Sequence, residues 1–581
     1  THGPKTKSPL PSKVVVTEQG ISMQSGAESR FVAKPGDWLA QWIWLSDAHY
    51  PDYQACRPTT FCEDKFPYAV ALFRKVVDLP FTPKSVTAWM SGDTKYRCAI
   101  NGNTVSSGPA EVGGDYDNKE SPDWWFYDGF KLGACMRQGR NVITAEVALG
   151  PQVQADYSMG QGGFLLELLV EGPGGESIVI HTDDSWRGIM SRAAINPNVY
   201  DAREEFHGWT SVDFDDSKWP RAGIVGPAIG SRWNLLPREI PRLMEALVLP
   251  IAVQFPCKEL KKRFDNASAI LAQQQPAHVK PGCPMVFWLR FPRELTGHLR
   301  LDMEGAPGTR VDVNFQESPG MCGETESFIL PDCRWTHETR RLQGFEFLQV
   351  TVTFPGGTYC KTPLKIAAIA AVFTSFPVCY KGRFESSDTF LNRLWTIGRW
   401  TNQLCMQAYH LDSPIHQEGL GCTGDYMIEA LVSYSCFGEA RLARKDILRT
   451  AYLLKQKQSR MFHTSYSLLW TWMVMDYWRF SGDEETVHEV MPMMHDLLDL
   501  FESYVGETGI VTEAPNYMFM DWVHVDGFAL HHPPGCMGQG YMSALYYQAL
   551  LYGAELSVLC GESERNEKYL RRAANLRHSF N

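Results

Sequence analysis

The sequence predicts a multidomain protein in which β-sandwich modules precede an array of paired helices. Three observations carry that expectation. Residues 37–380 are written in short runs of alternating apolar and polar residues, broken by Gly, Pro and Asn-Gly. From about Ser386 onward the apolar residues recur at helical spacing over long segments. At 581 residues the chain is also too long for one core, because single cores stop growing near roughly 250–300 residues.

Residues 1–36 open with "THGPKTKSPLPSK", polar and rich in Pro and Lys, and read as a loose tail. The region 37–236 follows as a first β-sandwich stretch. It holds "SVTAWMSGDTKYRCAINGNTVSSGPA", "NVITAEVAL", "GGFLLELLVEG" and "ESIVIHTDDSW". Asn101-Gly102 between alternating strands is a two-residue hairpin signal. The Pro- and turn-rich "SVDFDDSKWPRAGIVGPAIGSRWNLLPREIPR" reads as a domain edge. A second sandwich region, 237–380, carries "GHLRLDMEGAPGTRVDVNFQESPG", "FEFLQVTVTFP" and "LKIAAIAAVFTSF". The remainder, 381–581, offers seven candidate helices, from "SDTFLNRLWTIGRWTNQLC" to "NEKYLRRAANLRHS". Asp388 and Asp483 stand in clusters suited to helix N-caps. Short connections make neighbouring helices antiparallel, so an array of helical hairpins follows. The rim loops of such an array are where polar function sits.

The net charge of −11 argues against a nucleic-acid partner, which would ask for a basic face. No run approaches the ~20 apolar residues of a membrane helix, and no membrane partner is expected. The 15 cysteines include no C-x-x-C pair and no zinc spacing, so neither a metal nor a cofactor is expected. Cys98, Cys405 and Cys560 lie in apolar runs and read as buried free thiols; a Cys56–Cys62 pairing stays open. The chain begins at Thr1 without a visible signal peptide, consistent with a removed leader. A secreted or periplasmic location is favoured over a cytoplasmic one.

The stretch that carries chemistry is "YHLDSPIHQEGLGCTGDYMIEAL", residues 409–431. Asp412, Glu418 and Asp425 sit on a loop broken by Pro414, Gly419, Gly421 and Gly424, just before a helix. Glycoside cleavage needs a proton donor at the leaving oxygen, and an inverting enzyme also needs a base holding water, with carboxyls roughly 6.5–9.5 Å apart. Neighbouring negative charge keeps one carboxyl protonated, and carboxylates accept hydrogen bonds from sugar hydroxyls. The plainer alternative is a solvated loop whose Asp425 caps the next helix.

Several segments in order, "FRKVVDLP", "YRCAINGNTVSSGPA", "YDAREEFHGWTSVDFDDSKW", "GFEFLQVTV" and "GRFESSDTFLNRLW", together with Asp412–Asp425, resemble the α-L-rhamnosidases of glycoside hydrolase family 78. The family signature reads approximately D-C-P-Q-R-D-E-R-x-G-W-T-G-D; this chain has D-S-P-I-H-Q-E-G-L-G-C-T-G-D. The resemblance implies lectin-like β-sandwich modules ahead of an (α/α)6 barrel, and release of terminal α-L-rhamnose with inversion. It makes Glu418 the general acid and gives Asp412 and Asp425 to the sugar hydroxyls. His416 stands where the family has Arg, Gln417 where it has Asp, Gly419 where it has Arg and Cys422 where it has Trp. These departures put the identity of the sugar in question more than the reaction.

Further sugar contacts are expected from His416, from Trp470 and Trp472, and from Asp521, Trp522 and Asp526 in "EAPNYMFMDWVHVDG". Trp470 and Trp472 are two residues apart and do not share a helix face, so at least one points to the core. The family's base lies in later barrel helices, so the expected (α/α)6 barrel is incomplete in this chain and its base lies beyond residue 581. Glu513 and Asp526 are the in-chain alternatives. Expected partners are rhamnose-containing oligosaccharides, polysaccharides or glycosides, and a separate C-terminal chain or a second copy that completes the barrel. Asp93, Asp115, Asp117 and Asp128 with Trp124 and Trp125 form a weaker sugar or calcium candidate, against the plainer reading of acidic turns. The rival functions are a catalytically inactive carbohydrate-binding homologue and a hydrolase for another sugar.

Overall fold

Lys95–Ile100 buries every second side chain, as a strand with one face on a core must. It turns through Asn101 and Gly102, both at positive φ (51° and 78°), and pairs back through Ile100 and Asn103. This is the hairpin that Asn-Gly signals in the sequence.

The computed structural model describes residues 14–17, 20–23, 31–46, 68–115, 124–150, 158, 161–272, 275–321, 323–417, 421–515, 518–519 and 535–581. Two compact units divide the chain. One comprises Thr1–Glu111, Trp124–Pro377 and Ser413–Gln417; the other comprises Val112–Asp123, Val378–Asp412 and Glu418–Asn581.

The first unit is built of sheets. A seven-stranded sheet has Gly163–Glu171 and Ser85–Asp93 at its centre, and a five-stranded sheet has Ala69–Leu79 and Gly139–Leu149. They share one core, in which Phe73 of the smaller sheet stacks on Phe164 of the larger at 6.0 Å and Trp186 meets Phe164 edge-on. A twelve-stranded sheet is organised on the long strand Met285–Glu304, flanked by Gln343–Thr353 and Leu364–Ser375. Ala194–Asn196 and Val199–Asp201 join this sheet although they precede residue 237 in sequence. Two short helices, α1 (Lys258–Lys262) and α2 (Ala269–Ala272), accompany it.

Trp42 and Trp233 serve the core of this unit. Trp42 and Trp233 stack at 4.1 Å, and Trp233 Nε1 donates to Asp93 at 3.0 Å. Asp128 is fully buried with Tyr96 and Arg238 as partners. The acidic candidate cluster therefore does not assemble: Asp93 and Asp128 are spent inside the sandwich, and Asp117 lies outside the described residues.

The second unit holds the seven helices the periodicity predicts: α3 (Thr389–Cys405), α4 (Thr423–Phe437), α5 (Arg441–Gln456), α6 (Thr464–Ser481), α7 (Glu484–Glu502), α8 (Gly535–Leu559) and α9 (Ser563–Phe580). Asp388 caps α3 by accepting from Phe390 N at 2.8 Å, and Asp483 caps α7 by accepting from Thr486 N at 3.1 Å. α4 packs on α6 and α6 on α8, while α5 packs on α7. Alternate helices thus form two rows, the layering of a toroid of helical hairpins. α3 leaves Phe390, Leu394 and Ile397 exposed.

Eleven cysteines are free among the described residues. Cys98 and Cys405 are buried as expected, but Cys560 is only half-buried and Cys257, Cys283 and Cys333 are exposed. Apolar sequence neighbours do not bury a residue at a helix end or in a loop.

Candidate active site

α3 hands the chain to α4 through residues 406–422, and the first half of this connection is tied down by α5. His410 is fully buried; its Nδ1 lies 2.7 Å from Asp446 Oδ2. Asp446 also receives Arg449 Nη2 at 3.2 Å. Lys445 Nζ donates to Ala408 O at 2.6 Å, and the Arg449 guanidinium lies 4.4 Å from the Tyr409 ring and 5.0 Å from that of Tyr426. Lys445, Asp446 and Arg449 are all buried. A buried charge persists only when paired, so this network fixes the backbone immediately before Asp412.

Asp412 is half-buried at the end of that tethered stretch. Asp425 is half-buried in the first turn of α4, where the capping residue is Cys422, which makes no side-chain cap. Asp425 sits three residues inside the cap, so the plain capping reading does not describe it. A carboxylate in the first turn still gains from the helix dipole. Gly421 holds φ +67°, and a Cβ there would come within 2.8 Å of Met461 and 3.1 Å of an Asp115 oxygen. Gly424 passes so close to Tyr466 that a Cβ would lie 2.7 Å from its ring. These two positions require glycine, one by conformation and one by space. Glu418 lies outside the described residues, as do Asp521, Trp522 and Asp526.

His416 and Gln417 belong to the first unit. His416 is exposed, with its backbone N donating to Ser413 Oγ at 2.9 Å. Gln417 is buried at positive φ (58°), and its amide donates to Leu342 O and Pro414 O. At the position where the family has Asp, this chain uses a neutral side chain to anchor backbone.

Trp470 corrects the sugar-subsite expectation. It is fully buried in the helical core, and its Nε1 donates to Ile447 O at 3.0 Å, leaving no ring face open. Trp472, on the neighbouring face, is half-buried and meets Tyr552 edge-on at 5.5 Å. Glu513 is exposed in the turn after α7, where Thr512 Oγ1 donates to it at 3.1 Å.

Asp115 was assigned to the wrong unit by the sequence reading, and Glu429 escaped it. Asp115 lies in the helical unit, not in a sandwich: it takes Lys457 Nζ at 2.5 Å and Phe462 N at 2.9 Å, beside Gly421. Glu429, one turn after Asp425 on α4, has its Oε2 enclosed by protein. Burial, and after it the charges of Asp425 and Asp446, push its carboxyl well above the usual carboxylate range; a hydrogen bond from Cys405 works the other way, and Asp412 adds to the rise. The spacing Asp425–Glu429 was visible in sequence, but nothing there marked Glu429 as enclosed.

Residues 380–581 match the bacterial α-L-rhamnosidase six-hairpin glycosidase domain, which makes the helical unit a glycosidase-type hairpin domain behind a β-rich region. Residues 82–241 match the α-L-rhamnosidase N-terminal domain. The two matches together cover more than half of the chain, and both are to domains of α-L-rhamnosidases. An α-L-rhamnosidase of Formosa agariphila is 21% identical over 498 residues, covering 77% of this chain and 48% of the relative. One of Streptomyces avermitilis is 24% identical over 438 residues, covering 69% and 38%. The chain thus spans about half or less of the curated relatives' length. A family 78 rhamnosidase structure from Bacillus sp. GL1 superposes with a TM-score of 0.75 at 17% identity, over 94% of this chain and 77% of that one, a likeness of fold. Among the described residues no helix is long and apolar enough to cross a membrane, and no group of three or more His, Cys, Asp or Glu is placed to hold a metal ion.

Proposed function

We propose that this chain is an inverting glycoside hydrolase that releases terminal α-L-rhamnose, with Glu418 as general acid and Asp412 and Asp425 holding sugar hydroxyls. The observation that carries the reading is the pair Asp412 and Asp425, both half-buried in the helical unit and flanking position 418, with an acid-rich surround that opposes ionisation of a nearby carboxyl. Its substrates are rhamnose-containing glycosides, oligosaccharides or polysaccharides, which suits a secreted or periplasmic setting. Half-buried Trp472 and the loop of Asp521, Trp522 and Asp526 are the remaining candidates for the pocket wall, and exposed His416 for an outer contact. The exposed apolar residues Phe390, Leu394 and Ile397 of α3 are where a separate chain or a second copy would pack.

The test is Glu418→Gln. Turnover of an aryl α-L-rhamnoside should fall roughly 10²–10⁴-fold, the range of one general acid, while L-rhamnose binding by calorimetry persists. Proton NMR of the first product should show the β-anomer. A wild-type protein with its barrel completed that binds L-rhamnose but turns over no aryl rhamnoside is a carbohydrate-binding homologue. A wild-type chain that prefers another aryl glycoside makes the departures at His416, Gln417, Gly419 and Cys422 a change of sugar.

A further inference from the structure

Four residues separate Asp425 from Glu429 on α4, so both project from one face, about 5–6 Å apart at Cβ. The groups around Glu429 come from every neighbouring segment. α3 supplies the Cys405 thiol, the connection supplies Asp412, and α5 supplies Asp446, itself paired with His410 and Arg449. α6 carries one acid, Asp476, whose charge acts on Tyr434 near the far end of α4. Glu429 is the acid of this group whose Oε2 is enclosed without a hydrogen-bond partner. An ionised carboxylate enclosed beside three other acids is costly, so the side chain carries a proton, and an enclosed carboxyl that carries a proton needs an acceptor. The acceptor that α4 sets one turn away is the Asp425 carboxylate.

We propose that Glu429 is a positioning residue: its carboxyl donates a hydrogen bond to the Asp425 carboxylate and fixes the oxygen that Asp425 presents to the sugar. The inference rests on the reading of Asp425 as a sugar-holding residue. The rise of the Glu429 carboxyl under burial and the charges of Asp425 and Asp446 is in the direction a proton donor requires. Ionisation of Glu429 would then turn an attractive contact into a repulsive one and release Asp425.

Two measurements on the whole chain test this. The first is L-rhamnose affinity from pH 5 to 9 by calorimetry for wild type, Glu429→Gln and Glu429→Leu. Gln mimics the protonated acid and keeps an N–H donor, so it should bind like wild type at low pH and lose the alkaline fall. Leu keeps the volume without a donor and should bind at least tenfold more weakly at every pH. An identical alkaline fall in Glu429→Gln, or wild-type affinity in Glu429→Leu, overturns the proposal. The second measurement needs no sugar. The infrared difference between wild type and Glu429→Gln should contain a protonated-carboxyl C=O band, and that band should shift in the Asp425→Asn background. No such band, or one indifferent to Asp425→Asn, overturns the hydrogen bond. If wild type binds no L-rhamnose while the band is present and shifts, the contact stands and the assignment of the sugar fails instead.

Discussion

Among single residues, Asp446 has the largest structural role in the candidate site. Its two oxygens serve His410 and Arg449, and all three side chains are buried. Removing one partner of a buried charged set strands the others, at a cost of roughly 3–5 kcal/mol. Asp446→Ala should therefore lower the unfolding free energy by about that amount in urea titrations, and a loss below about 1 kcal/mol would refute the account. None of this was legible beforehand. "EARLARKDILRT" shows only helical period in the sequence, and nothing in it marks Lys445, Asp446 or Arg449 as buried. The loop of residues 406–411 turns these three into a buried anchor, and no local pattern announces which loop will cover which face. The set Asp412, Glu418 and Asp425 could be put forward from sequence because its spacing is a linear property of the chain.

Elements were more readable than side-chain roles, because caps and periodicity are local. All seven helices lie where the sequence puts them, and Asp388 and Asp483 are both caps. Asp483 does more than cap: it accepts from Thr486 N at 3.1 Å, from Thr486 Oγ1 at 2.6 Å and from Tyr477 O–H at 2.7 Å, joining α6 to α7. Asp483→Ala should cost about 1–2 kcal/mol of stability, the upper range for a lost N-cap, while Asp483→Asn, which still caps, should recover most of it. Equal losses in the two variants would show that charge, not capping, matters there. What stayed hidden at this scale is long-range. Asp115 is read as a sandwich residue because its neighbours in sequence form strands, yet its segment belongs to the helical unit. Trp470 and Trp472 were rightly given different faces, but only packing against Ile447 decides which one is enclosed.

Over the whole molecule, buried titratable groups set a pH profile of stability in which two sets of terms oppose each other. Burial pushes His298 down to about 4 and His337 to about 3, and it also lowers His495. An unfolded histidine titrates near 6.5, so the unfolded chain binds more protons below that pH. This contribution is complete above about 6.5 and is lost as pH falls, about 3 kcal/mol in full for His298. Glu294 and Glu326 go the other way: burial raises both to about 7, and it raises Glu429 as well. Their contribution is complete below about 4.5 and is lost as pH rises through 7. Glu146 and Glu338 fall to about 2: burial opposes the shift, but the charge and hydrogen bond of Arg340, together with Arg97 and His337, outweigh it at Glu146, and Arg97, Arg300 and His298 together outweigh it at Glu338. They add stability above about 4.5 that disappears as pH falls through 2. Between about 4.5 and 6.5 the histidine terms rise with pH while the raised-acid terms fall; burial raises Glu245 and Asp476 too, so the acids outnumber the histidines and stability should drift downward with pH. Below about 4.5 the histidines and the Arg-paired glutamates act together, and stability should fall steeply. His337→Gln removes one histidine term and widens the excess of raised acids. Its urea midpoint should rise more steeply than that of the wild type as pH drops from about 7 to 4.5, and a variant profile that merely parallels the wild type would refute the account.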